Sequence, residues 1–301
     1  MDLGRMKEKQ FKSGFATLIG RPNVGKSSLL NRIIGQKITI TSDKPQTTRT
    51  QLRGILTQPG YQIVWIDTPG LHRPLHQLGT EMVKTAQAAL RSGDLAVWVL
   101  DASQGLTPAD LKVAEELRAA NLPVLPVWNK MDLVHDEQLP ELPGFAAPLR
   151  VSARDGGGLP QLLAAVAEAL PDGPPFYPPE MVTDHPERFI AAEFIREQVL
   201  NHTQEEVPHS VAVQVDEFKE RDNGLIYIDA VIYVERDSQK GILIGAGGER
   251  LKQIGQAARA DIQELLDAKV FLNLWVKVRD KWRNNRSALR DFGYWEQERR
   301  D

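Results

Sequence analysis

Gly20-Arg21-Pro22-Asn23-Val24-Gly25-Lys26-Ser27 sets two glycines, a lysine and a hydroxyl at the spacing G-x-x-x-x-G-K-[ST]. An apolar run, residues 15–19, leads into it, and a helical pattern, residues 26–34, leaves it. The glycines let backbone N–H groups turn inward onto phosphate oxygens, and the start of the helix adds a favourable partial charge. Lys26 would reach the β- and γ-phosphates as a point charge. Ser27 Oγ would ligate Mg2+, and Ser28 completes the phosphate-binding set.

Asp67-Thr68-Pro69-Gly70 closes a second apolar run, residues 63–67. A carboxylate at the C-terminal end of a parallel strand can hold the Mg2+ shell, and the Gly70 N–H can sense a γ-phosphate. The polar stretch Gln46-Thr47-Thr48-Arg49-Thr50 offers a hydroxyl that could close on the same ion. Thr48 is the first choice and Thr47 the second. Asn129-Lys130-Met131-Asp132 follows the run 124–128. The Asp132 carboxylate can accept from the N1–H and N2–H2 groups of guanine together, a donor pair that adenine lacks. Asn129 would brace the loop, and the Lys130 stem would lie over the base. Ser152-Ala153 stands where a backbone N–H could meet guanine O6. Ligands are therefore GTP and GDP, with Mg2+.

These residues need strands to carry them. Apolar runs at 15–20, 63–67, 95–101, 124–129 and 149–152 alternate with helical patterns at 26–34, 78–90, 108–120 and 159–170. That alternation predicts an α/β domain, a mostly parallel sheet with helices on both faces and its ligands at the C-terminal strand ends. Residues 35–58 are polar and read as a mobile loop. The stretch PDGPPFYPPE reads as a stiff, extended linker. The expected layout is a tail at 1–14, a nucleotide domain at 15–171, a linker at 172–180 and a second domain at 181–301.

The chain has 301 residues, 42% hydrophobic and 26% charged, with a net charge of -3 and no cysteine. Two folded domains fit that length. The absence of cysteine excludes disulfides, thiolate zinc sites, iron–sulfur clusters and cysteine nucleophiles. The net charge leaves room only for a local nucleic-acid patch. The six histidines show no metal-ligand spacing, although His72 follows the D-T-P-G segment closely. No apolar run is long enough to span a membrane, and the N-terminus lacks a signal-peptide core, so the expected location is cytoplasmic.

The second half reads α-β-β-α-β-α: a helix at 186–200, strands at 210–218 and 225–234, a glycine-rich loop, a helix at 249–266, a strand at 270–278 and a last helix near Asn284. The loop is Gly245-Ala246-Gly247-Gly248. A basic run follows, with Lys277, Arg279, Lys281, Arg283, Arg286 and Arg290. Trp282 and Phe292 could stack on bases, core packing being the stronger expectation.

The nucleotide-binding segments, in this order, resemble the G1–G5 motifs of translation-factor-class GTPases. Leu71 replaces the water-orienting Gln of Ras-like members. This resembles the hydrophobic-substituted GTPases, in several of which an Asn at the position of Asn23 helps bind K+. The second half resembles a type II KH domain, whose G-x-x-G loop presses on single-stranded RNA. The family usually has a basic residue in that loop, and Ala246 predicts a weaker grip.

One G domain followed directly by a KH domain resembles the Era GTPases of bacteria. Residues 44–49, 175–179, 234–241 and 282–285 agree with this. The resemblance implies GTP hydrolysis, binding of the 3′ end of 16S ribosomal RNA and a role in 30S subunit assembly. Catalysis would rest on Lys26, Asn23, Thr48 and Gly70. RNA binding would rest on residues 245–248 with Lys277, Arg279, Lys281 and Arg283. Some members associate peripherally with the inner membrane, and a monomer is expected. A constitutive RNA-binding protein with little turnover and a tRNA-modification-type GTPase are the alternatives; the second would need its own modification module.

Overall fold

The computed structural model describes residues 10–71, 74–134 and 139–295. In the first half, β1 (Lys12–Ile19), β3 (Tyr61–Asp67), β4 (Leu95–Asp101), β5 (Val124–Asn129) and β6 (Leu149–Arg150) are parallel. Strand β2 (Leu52–Gln58) runs antiparallel to β3, and the sheet order is β2-β3-β1-β4-β5-β6. Helices α1 (Lys26–Ile34) and α4 (Leu159–Ala169) bury Leu29, Leu30, Leu162 and Val166 on one face. Helices α2 (Gln77–Ser92) and α3 (Pro108–Ala119) bury Leu90, Val113 and Leu117 on the other. Thr107 and Asp110 form a capping box that starts α3.

Three expectations change. The strand read as starting at 15 begins at Lys12, because the Lys12 ammonium reaches the Glu168 and Leu170 carbonyls and its backbone pairs with Tyr61. The loop expected at 35–58 contains β2, turned into β3 at Gly60. The linker is extended but not free. Gln62 holds it by hydrogen bonds to Phe176 N, Tyr177 N and Tyr177 O, and the Phe176 ring packs tilted against Phe15 at 5.0 Å.

In the second half, α5 (Glu187–His202), α6 (Asp237–Ile244) and α7 (Glu249–Leu266) cover one face of a three-stranded sheet, β7 (Ala212–Glu220), β8 (Ile226–Val234) and β9 (Val270–Val278). The order is β7-β8-β9, with β9 at the edge and parallel to β8. The short helix α8 (Arg286–Asp291) packs on the other face against Ala212 and Tyr233. No helix among the described residues is long and apolar enough to cross a membrane.

The two halves share packing. Ile40 belongs to the core beneath β7-β8-β9. Leu78 and Met82 of α2 pack with Trp282, Ala288 and Leu289.

Candidate functional site

The loop between β1 and α1 encloses a cavity of about 390 Å3 with residues of the 40–48 segment. Lys26 is buried and donates to the carbonyls of Gly20 and Arg21, both at 3.1 Å. Burial lowers its pKa from 10.5 to about 8, with the nearby Asp67 pulling the other way. Arg21 is tied to Asp110 of α3 at 3.2 Å, and Val24 is fully buried beneath the loop. Gly25 has φ 95°, and a Cβ there would stand 2.4 Å from the Asn129 amide nitrogen, so only glycine fits. Pro22 and Ser28 line the cavity.

Three oxygens converge at one end. Ser27 Oγ donates to Asp67 Oδ2 at 2.6 Å and lies 2.9 Å from Thr48 Oγ1, which is 3.5 Å from the same carboxylate oxygen. Asp67 Oδ1 is buried without a hydrogen-bond partner. Burial raises the Asp67 pKa, opposed by Lys26 and by the hydroxyls of Ser27 and Thr48. Thr47 faces elsewhere: its hydroxyl donates to Lys44 O at 2.6 Å. Thr68 is held by Leu18 O, and Pro69 is buried beside it. Gly70 lies so close to the loop that a Cβ would stand 2.6 Å from Pro22 N. Leu71 packs into the α2–α3 side of the core.

Asn23 sits in the left-handed region at φ 65°, and its amide donates to Asp43 O at 2.7 Å. On the far side, Asn129 donates to Val24 O at 2.9 Å and accepts from Ala153 N at 3.0 Å, so it braces two loops at once. Ser152 Oγ donates to Asp132 Oδ1 at 2.8 Å, and Lys130 reaches Asp101 Oδ2 at 2.7 Å. Ser152 N and Ala153 N already have acceptors in Gly157 O and Asn129, so the expected contact to guanine O6 would share the Ala153 donor.

In the second half, Gly245, Gly247 and Gly248 adopt positive φ between α6 and α7. A groove of about 360 Å3 opens beside the loop, with Leu272 and Leu274 of β9 on one wall and Lys252, Gln256 and Arg259 of α7 on the other. Two members of the basic run are engaged in ion pairs. Arg279 pairs with Asp291 at 2.5 Å, and Arg283 pairs with Glu235 at 2.6 Å. Lys277 and Lys281 are exposed. Trp282 is fully buried and donates to Ser210 O, and Phe292 packs on it.

Profiles of two families match, one described as 50S ribosome-binding GTPase over residues 15–130 and one as KH domain over residues 206–283. The GTPase Era of Geotalea daltonii is 50% identical, covering 96% of this chain and 100% of its own. The chain belongs to the Era GTPase family. The Era of Alkaliphilus oremlandii is 47% identical over 94% of this chain and 99% of its own. Two solved Era structures superpose over 95% of this chain and 100% of theirs. An Aquifex aeolicus variant bound to GDP·AlF4− has a TM-score of 0.92 at 37% identity, and an Era with MgGDPNP and nucleotides 1506–1542 of 16S ribosomal RNA has 0.90 at 36%. This Era-family chain is a GTPase with a P-loop domain followed by a KH domain.

Sequence reasoning about the Era motifs missed three features. Asp101 lies in register with Asn129 at the end of β4, a position that the strand alternation could have flagged. Lys252, Gln256 and Arg259 recur at helical spacing directly after the glycine loop. Asn201 of α5 lines the P-loop cavity from the second domain, for which the sequence carries no signal. His72 lies outside the described residues.

Proposed function

We propose that this chain holds GTP over the P-loop and hydrolyses it slowly. The bound nucleotide then controls its grip on single-stranded RNA near the 3′ end of 16S rRNA, during assembly of the small subunit in the cytoplasm. The observation that carries this reading is the meeting of Ser27, Thr48 and Asp67 at one end of the cavity. Thr48 belongs to the segment that also touches the KH domain, so a ligand that orders Thr48 must act on both.

The oxygens fit Mg2+. They are hard donors, and Mg2+ is held by few protein ligands together with phosphates and waters. Asp67 Oδ1, buried without a hydrogen-bond partner, suits a cation. Mg2+ bound there would offset charge between the β- and γ-phosphates. Lys26 would give up its two loop carbonyls for phosphate oxygens. The Gly70 N–H would meet the γ-phosphate. Asp132, oriented by Ser152, would take the guanine donor pair. Asn23, beside the Asp43 carbonyl, would help hold K+, whose charge would serve where Leu71 cannot orient water.

The KH groove would take unpaired RNA. Leu272 and Leu274 offer apolar contact to bases, while Lys252 and Arg259 offer charge to the backbone; Lys277 stands on the other face of β9, and Lys281 is exposed outside the groove lining. Arg279 and Arg283 would contribute less, since each already has a carboxylate partner.

Crosslinking the protein to small-subunit RNA, with GDP or with a non-hydrolysable GTP analogue, tests this directly. Adducts should map to the 16S 3′ end and increase with the analogue. Adducts scattered evenly over the RNA would contradict the reading.

A further inference from the structure

The two faces of β9 differ. Leu272 and Leu274 point to the groove, and by the alternation of a strand Phe271 and Trp275 point to the opposite side of the sheet. Helix α8 covers one end of that side, over Ala212 and Tyr233. The other end is bare. Phe271 is 52% exposed and Trp275 is 55% exposed.

These rings are held in place. Tyr227, which pairs with Phe271 across the strands, stacks on it at 5.4 Å with an angle of only 8° between planes. The Arg221 guanidinium lies 4.8 Å from the centre of Tyr227. Asp229 Oδ1 accepts from Trp275 Nε1 at 3.0 Å and from Asn273 Nδ2 at 2.9 Å. Rings fixed this way lose little freedom on binding a flat partner. By strand register Lys219 and Lys277 share the face, with Glu217 and Asp229 as its acids. The cations are therefore Arg221, Lys219 and Lys277, and one of the two acids is already occupied by donors.

We propose that this bare half of the sheet is a second RNA surface, a stacking platform for unpaired bases that pass from the groove around the β9 edge. Fixed, exposed aromatics with flanking cations suit single-stranded RNA, because every base offers a flat face for stacking. Continuity favours RNA over protein: one edge strand walls both the groove and the platform, so a strand leaving the groove meets Phe271 or Trp275 next. The proposal rests on the groove being an RNA site.

The test uses the full-length protein and two single-stranded RNAs with the same 5′ sequence, one of about 6 nucleotides to fill the groove and one of about 16 to run past it. Phe271→Ala and Trp275→Ala should each weaken the longer RNA by about tenfold and leave the shorter unchanged. Phe271→Tyr and Trp275→Phe should restore most of the loss. The salt dependence should not move, because stacking releases no counterions. GDP affinity and basal GTPase rate should match wild type, which reports an intact fold. Unchanged binding of the longer RNA overturns the proposal. So does equal loss on both RNAs, which would mean damage to the groove. Lost binding to 30S subunits with RNA binding intact would make the face a protein contact, and overturns it too. Wild type that fails to bind the short RNA, while the long RNA still depends on the rings, would refute the groove and with it the path from groove to platform, leaving the rings as a separate RNA contact.

Discussion

Thr48 and Arg49 are neighbours that serve different domains. The Thr48 hydroxyl lies 2.9 Å from Ser27 Oγ at the phosphate end of the cavity. The Arg49 guanidinium is buried in the second domain, where it donates to Val211 O at 2.5 Å and to the carbonyls of Pro208 and His209. It also lies over Trp282 and Tyr294, 5.7 Å from each ring. On the other side of Thr48, the Thr47 carbonyl accepts from Arg196 of α5 at 2.5 Å. Nearby, Lys37 bridges Glu197 at 2.5 Å and Asp261 of α7 at 3.0 Å. Helix α7 also lines the groove beside the glycine loop.

Arg49→Ala should therefore separate the two activities. GDP affinity should change less than about twofold, since Lys26 and Ser27 do not touch Arg49. Stability should fall by about 1.5–3 kcal/mol, because charge-assisted hydrogen bonds to buried carbonyls are lost. The ratio of RNA affinities with GTP analogue and with GDP should collapse towards one. Urea unfolding and RNA titrations measure both, and an unchanged ratio would remove Arg49 from the coupling.

Base choice should rest on Asp132 and its hydroxyl partner. Asp132→Asn should exchange guanosine for xanthosine nucleotides. Ser152→Ala should weaken GDP by about fivefold, the worth of roughly 1 kcal/mol for one hydrogen bond. ATP should not compete for the site in either protein. Titration with fluorescent nucleotides checks each point, and ATP competing as well as GTP would refute the assignment.

Much of this was legible because chemistry fixes spacing. The loop at 20–27 must join a strand to a helix, and α1, α7 and β9 fall on the ranges read from the sequence. Strand β2 was missed because Gly54 interrupts its apolar pattern. That glycine makes room for α1, since a Cβ would stand 2.7 Å from Leu30 Cδ1. The basic run looked like a free patch because its partners, Glu235 and Asp291, come from different elements. Contacts between domains, such as Arg49 with Val211 O, leave no local period and were invisible for that reason.

Nucleotide affinity should depend on Lys26 through pH. Burial holds its pKa down at about 8, so the free protein loses this proton as pH rises past that value. A phosphate ligand needs the ammonium. GDP affinity should be nearly flat up to about pH 7, about twofold weaker at pH 8 and about sevenfold weaker at pH 8.8, where most of the guanine N1 still keeps its proton. Between pH 8 and 10.5 the unfolded chain holds more protons than the folded one, so the nucleotide-free protein should gain stability with rising pH there. A pH-independent affinity up to 8.8 would show that Lys26 is not depressed.

Potassium should accelerate hydrolysis over sodium, and Asn23 should be needed. The suitable variant is Asn23→Gly, because φ 65° strains most side chains and glycine isolates the loss of the amide. Single-turnover rates in K+ and Na+ should differ for wild type and agree for the variant. Equal wild-type rates would leave Asn23 as a brace for the Asp43 loop.

On the proposed function, the nucleotide and the RNA share one conformational equilibrium through residues 47–49. The direct measurement is the affinity of the full-length protein for a single-stranded 16S 3′-end RNA without nucleotide, with GDP and with a non-hydrolysable GTP analogue. Binding should be tightest with the analogue, and RNA should raise the analogue's affinity by the same factor. Equal RNA affinities in all three states would contradict it, leaving two independent modules on one chain.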